Sequence, residues 1–216
     1  VASKPQSPTR ISVHTPYEAI VKTLDMMATN FMFNKKRYNA TMERMTVDLL
    51  LKVCSSLSSE KVEYMIIGGT AVGYYHFVRP SHPIEGRPEI KTGLDFWYNP
   101  TLENRQRLGR AIRNLGLIGD QVKINEFMED FSSNYLVIEE VNYKMDFNPY
   151  APGLAFEEAV NNSKTEYIND VPLVFIGLSD LIKNKSKVNR IGIDDIDVSE
   201  LKRINNIEQK DNGISM

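Results

Sequence analysis

A strand-like segment, Val62-Glu63-Tyr64-Met65-Ile66-Ile67, runs straight into Gly68-Gly69-Thr70-Ala71, and a second one follows at Leu94-Asp95-Phe96-Trp97-Tyr98. This pairing constrains the chain most, because a strand that empties into two glycines calls for a sheet with a tight turn at its mouth. Two glycines and a hydroxyl residue can present bare backbone amides to a phosphate. A carboxylate fixed on an adjacent strand can hold the metal that accompanies that phosphate. Together they predict a nucleotide-handling site.

The totals are consistent with a domain able to build such a sheet. The chain has 216 residues, 42% hydrophobic and 25% charged, which suits one soluble domain, or one core with a small appended subdomain. A net charge of −2 gives no overall field for nucleic acid or an anionic membrane, so nucleic-acid contact would need a local patch. The single cysteine, Cys54, excludes an internal disulfide and a cysteine-based zinc cluster; it falls on the apolar face of a predicted helix, where a small buried hydrophobe is expected. No segment approaches the ~18 consecutive apolar residues of a membrane span, and the N-terminal stretch has no apolar signal region. A cytoplasmic location is therefore expected. His14, His76 and His82 lack metal-ligand spacing, and no serine or cysteine sits in a nucleophile elbow.

Along the chain, residues 1–14 read as a flexible lead-in, 15–60 as N-terminal helices packing on the core, 61–207 as the main domain and 208–216 as a polar tail. Thr15-Pro16-Tyr17-Glu18 forms a capping box for a first helix with apolar residues at 17, 20, 21, 24, 27, 28 and 31. Asn34-Lys35-Lys36-Arg37 reads as a solvated turn. A second helix covers about 41–57, with Val47, Leu50, Leu51, Cys54 and Leu57 on one face. A strand over 62–67 and a short helix over 70–77 come next, then loop chemistry over 79–92 and the strand over 94–98. Pro100-Thr101 opens a helix with the stripe Leu108, Ala111, Ile112 and Leu115, ended by Gly116; Arg105, Arg107, Arg110 and Arg113 are expected on its solvated side. Segments 134–141 and 143–148 suggest a hairpin turning near Asn142. A short helix near 155–161, a hairpin over 164–176 and helices over 179–189 and 194–206 complete the pass. The expected class is α/β (α+β): a small mixed sheet flanked by N-terminal and C-terminal helices.

Three residues beyond the glycine turn can carry chemistry. Asp95 lies on the second strand. Asp146 lies on a strand that puts Tyr143, Met145 and Phe147 on one face and Lys144, Asp146 and Asn148 on the other. An aspartate in apolar surroundings is costly without a partner, and a metal ion is one such partner; an ordinary acid on a solvated strand face is the alternative. Lys185 falls among Leu181, Ile182 and Val188 on the inward stripe of its helix. An inward lysine answers an anion, here the triphosphate or Asp146, unless it snorkels out along the edge of the stripe.

The ordered set Met65-Ile66-Ile67-Gly68-Gly69-Thr70-Ala71, then 94–104, then Lys144-Met145-Asp146 resembles the nucleotidyltransferase superfamily, the DNA-polymerase-beta-like fold. The resemblance extends through Asp180-Leu181-Ile182-Lys183-Asn184-Lys185 and Arg190 to Asp194, Asp197 and Leu201. It is strongest to bacterial abortive-infection-type and minimal nucleotidyltransferases, some of them toxins of toxin–antitoxin pairs. It implies metal-assisted transfer of a nucleotide from a nucleoside triphosphate to a hydroxyl of a protein, RNA or small molecule, using Mg²⁺ or Mn²⁺. Carried onto this chain, it makes Asp95 and Asp146 the catalytic metal ligands, and Gly68, Gly69, Thr70, Lys185 and Arg190 the nucleotide contacts. It also implies an antitoxin protein as partner and no membrane. Gly93 stands where the family pattern has its first metal-binding acid, with Glu85 and Glu89 in the preceding loop as candidate substitutes. The alternative expectation is thus a catalytically degenerate member that binds nucleotide or a partner without turnover.

Overall fold

A computed structural model describes residues 40–75, 92–116, 121–129, 134–139, 143–188 and 194–211. The expected lead-in, the helix over 17–31, the Asn34–Arg37 turn, Glu85, Glu89 and Arg190 lie outside the described residues, as does the end of the chain past 211.

Helix α1 (Ala40–Ser59) forms where Leu50, Val53, Cys54 and Leu57 recur on one side, and all four are fully buried. Burial pushes the Cys54 thiol up to about 12, so it packs as a neutral hydrophobe rather than a nucleophile. Strand β1 (Tyr64–Ile66) leads into the short helix α2 (Gly68–Tyr74), followed by β2 (Thr92–Tyr98). Helix α3 (Leu102–Asn114) starts at Thr101, whose hydroxyl accepts from the Asn104 N–H at 3.3 Å. Then come α4 (Gln121–Glu129), β3 (Leu136–Glu139), β4 (Tyr143–Asn148), α5 (Phe156–Ala159) with a 3-10 turn at Val160–Asn162, β5 (Lys164–Ile168) and β6 (Val171–Phe175). Helices α6 (Leu178–Val188) and α7 (Asp194–Asp211) close the fold.

The architecture is mixed α/β, with seven α-helices and one six-stranded sheet among the described residues. The strand order is β3-β4-β2-β1-β6-β5. Neighbours β1–β2, β3–β4 and β5–β6 are antiparallel, whereas β1–β6 and β2–β4 are parallel. The period-two alternation puts Leu94, Phe96, Met145, Phe147, Ile66 and Phe175 on one face, all essentially inaccessible to solvent. On that face Phe96 stacks on Phe147 at 4.9 Å. The opposite face carries Gly93, Asp95, Lys144, Asp146 and Asn148, which are only partly buried. Near its centre Trp97 packs edge-on against Phe156 of α5 at 5.2 Å.

Three local expectations needed revision. Helix α4 was not anticipated, and α7 continues to Asp211 rather than ending at 206. Arg105 is not on the solvated side of α3. It is 2% exposed, donates from Nε to the Phe127 carbonyl at 2.6 Å and from Nη1 to Asn134 Oδ1 at 2.9 Å, and lies 4.7 Å over the Phe127 ring. A buried guanidinium needs such partners, and α4 and the residue leading into β3 supply them. Arg107, Arg110 and Arg113 do face outward, toward Glu103, Glu60 and Asn125.

Candidate functional site

The glycine turn and the first acid are built against one another. The Ile67 N–H donates to the Asp95 carbonyl at 3.0 Å, which fixes the end of β1 beside the middle of β2. Gly68 then turns with φ +66°, a left-handed conformation that side chains disfavour. A Cβ at this position would sit inside the envelope of Asp95 Oδ2, and 2.8 Å from Asp95 Cγ. Glycine is therefore required twice over: for the turn, and for the close approach of a carboxylate. Gly69 and Thr70 follow in the first turn of α2, where backbone N–H groups have no intrahelical acceptor. Thr70 is 1% exposed, and its Oγ1 has no hydrogen-bond partner among the described residues.

The two aspartates are brought together. Strands β2 and β4 pair in parallel with Asp95 directly opposite Asp146, so both side chains leave the same face. Gly93 pairs with Lys144 one pleat away, and a Cβ at Gly93 would meet nothing within 4 Å. The position of the missing acid is thus open space. Lys144 leans along its own strand to Asp146, with Nζ 2.8 Å from Oδ1 and 2.9 Å from Oδ2. This ammonium already neutralises one of the two carboxylates.

A cleft of about 260 Å³ opens beside this face, lined by Ile67, Gly68, Asp95, Asn148, Tyr135 and Tyr150 together with Asn184, Lys185 and Val188 of α6. Asp146 stands next to Asp95 but is not part of its lining. Lys185 is turned inward as its spacing predicts, at 3% exposure. Of the two expected anions, the triphosphate and Asp146, Asp146 is not the partner: Nζ lies 3.1 Å from Asp194 Oδ1 and 3.0 Å from Asp197 Oδ2, both on α7 and both buried. The reason is proximity, since α6 packs along α7 and the first turn of α7 delivers two carboxylates to the lysine.

Among the described residues no group of three or more His, Cys, Asp or Glu side chains is arranged to hold a metal ion. The donors do not fit the pair of divalent ions that three carboxylates would hold. They do fit one Mg²⁺ or Mn²⁺, because such an ion is commonly held by one or two carboxylates plus the phosphates of its nucleotide. Asp95, on the cleft wall, is the residue placed for that role.

No family model and no curated protein matches this chain. No described helix is long and apolar enough to cross a membrane.

Proposed function

We propose that the chain is a nucleotidyltransferase-like protein that binds a nucleoside triphosphate as its Mg²⁺ complex in this cleft, without turnover. One observation carries the reading: Asp95 is pressed against Gly68 so closely that no other residue fits there. A phosphate in the cleft would meet the Gly68 backbone beside the Asp95 carboxylate, whereas Gly69 and Thr70 follow in the same turn but do not line the cleft. Gly93 and the Lys144–Asp146 ion pair favour binding over catalysis, since they leave Asp95 as the one site carboxylate on the cleft wall.

The second reading is metal-assisted transfer of the nucleotide to a hydroxyl of a protein, RNA or small molecule, as in a toxin paired with an antitoxin. It is favoured by the register that sets Asp95 beside Asp146. A cytoplasmic location accords with either reading.

Calorimetry and thermal-shift titration with ATP, GTP, CTP and UTP, each with Mg²⁺ or Mn²⁺, separate these readings. We expect weak binding that needs the metal, is lost in Asp95→Ala and releases no pyrophosphate. Silence with every triphosphate would remove the nucleotide reading. Pyrophosphate release by the wild-type protein would replace binding by transfer.

A further inference from the structure

Two tyrosines line the cleft with about half of each residue in reach of solvent. Tyr135 is 47% exposed and Tyr150 is 58% exposed, and both line the cleft. Tyr135 immediately precedes β3, and Tyr150 follows the end of β4. Because β3 and β4 pair with Leu136 opposite Phe147, the two rings emerge at the same end of the hairpin. They meet edge to face, with centroids 6.1 Å apart and planes at 81°. The contact holds each ring in place through the other, while leaving ring faces uncovered.

Such a pair is poor economy for a protein surface unless something flat lies on it. The cleft's other lining groups narrow the choice. Asn148 and Asn184 bring primary amides, each with donors and an acceptor, to the same cleft. Asn184 is 6% exposed and anchored, donating from Nδ2 to the Pro152 carbonyl at 3.2 Å. Tyr135 precedes β3 and Gly68 follows β1, with β4 and β2 between them in the sheet, so the rings and the glycine turn enter the cleft from different strands. A ligand that fills the cleft therefore meets aromatic rings from the β3–β4 side, the two amides, and the Gly68 backbone with the Asp95 carboxylate from the β1–β2 side. The volume, about 260 Å³, is just below the ~300–1,000 Å³ of a usual small-molecule site, so part of a nucleotide would stay at the open rim.

We infer that Tyr135 and Tyr150 form a stacking platform for the base of the bound nucleotide, the end opposite its phosphates. This rests on the nucleotide reading above and adds where the base lies. Stacking on an aromatic side chain tolerates every base, because each has a π-face, so the platform supplies affinity with little discrimination among bases.

The test compares ATP with tripolyphosphate, which carries the phosphates without base or sugar, in the presence of Mg²⁺. ATP is expected to bind the wild-type protein at least about 10-fold more tightly than tripolyphosphate. Tyr150→Ala, which removes the more exposed ring, should weaken ATP by about 5- to 150-fold, the range of one lost base–aromatic stack; Tyr135→Ala, which removes the edge-on ring that braces it, should weaken ATP by a smaller factor; both should leave tripolyphosphate unchanged. Tyr150→Phe should keep ATP affinity, since it retains the ring. Both positions are exposed, and unchanged melting temperatures would show that the variants fold. If ATP binds the alanine variants as well as the wild type, the platform is wrong while the phosphate site stands. If neither ATP nor tripolyphosphate binds the wild-type protein, the underlying nucleotide reading fails and the platform goes with it.

Discussion

Carboxylates on neighbouring strands, whose backbones run about 4.8 Å apart, repel one another unless a cation intervenes. Asp95 and Asp146 are such a pair, and Lys144 supplies the cation. The lysine faces Gly93 across the strand pair, so a charge has been added beside the place where an acid is missing. Such an ammonium competes with a divalent ion for Asp146. Replacing it by methionine keeps the length of the side chain and removes the charge. Lys144→Met is therefore expected to tighten Mn²⁺ binding by about 2- to 5-fold, the effect of removing up to ~1 kcal/mol of competition at a partly exposed pair. Paramagnetic resonance titration of free Mn²⁺, with no nucleotide present, reads this directly. Equal or weaker Mn²⁺ binding in the variant would mean that the ion pair is only a surface contact. Gly93, with open space beside it, could be seen as an absence from the sequence; the lysine's compensating position could not, because it depends on which strand lies next to which.

At the scale of elements, the cleft's wall is held by charge as well as by packing. Lys185 joins α6 to α7 through two buried aspartates, and the first turn of α7 is also where negative charge is favoured by the helix dipole. Removing the lysine leaves those carboxylates buried without their cation. Lys185→Met is expected to lower stability by about 3–5 kcal/mol, the usual cost of breaking one side of a buried pair. Urea denaturation measures it, and a loss below about 1 kcal/mol would show that α7 can swing its acids to water. Much of this level was legible. Lys185 sits four residues after the buried Leu181, and that spacing announced its inward direction; its partners did not follow from spacing, because nothing local links α6 to α7. The β5–β6 hairpin is set by turn chemistry, Asn169 and Asp170 taking φ of 50° and 63° between the strands. Arg105 lies three residues before Leu108 and seven before Ile112, on the buried stripe, so its position and not its charge decides its burial. Helix α4 escaped because its nine residues carry too short a stripe for periodicity to register.

Across the whole molecule, the site depends on strand order. Residues 95 and 146 meet only because β4 crosses over to lie parallel to β2, and a slip of one residue in that register would send Asp146 to the apolar face and Phe147 to the polar one. Period-two alternation along β4 told which face Asp146 occupies, but not that its neighbour is β2; parallel pairing is set by long-range packing that no segment of the sequence displays alone. The same order places the cleft between two parts of the chain far apart in sequence, the β1–α2 turn and helix α6. A ligand in the cleft must therefore stabilise both parts at once, while β5, the edge strand farthest from it on that side, gains least. Amide hydrogen exchange followed by mass spectrometry, with and without saturating ATP and Mg²⁺, should show slower exchange in peptides covering 66–75 and 178–188 together, and the least change over 164–168. At ten times its dissociation constant the ligand adds about 1.4 kcal/mol to the folded state, enough to slow globally governed amides about 10-fold. Protection confined to one of the two segments would place the nucleotide outside the cleft, because any occupant of it touches the glycine turn and α6 alike.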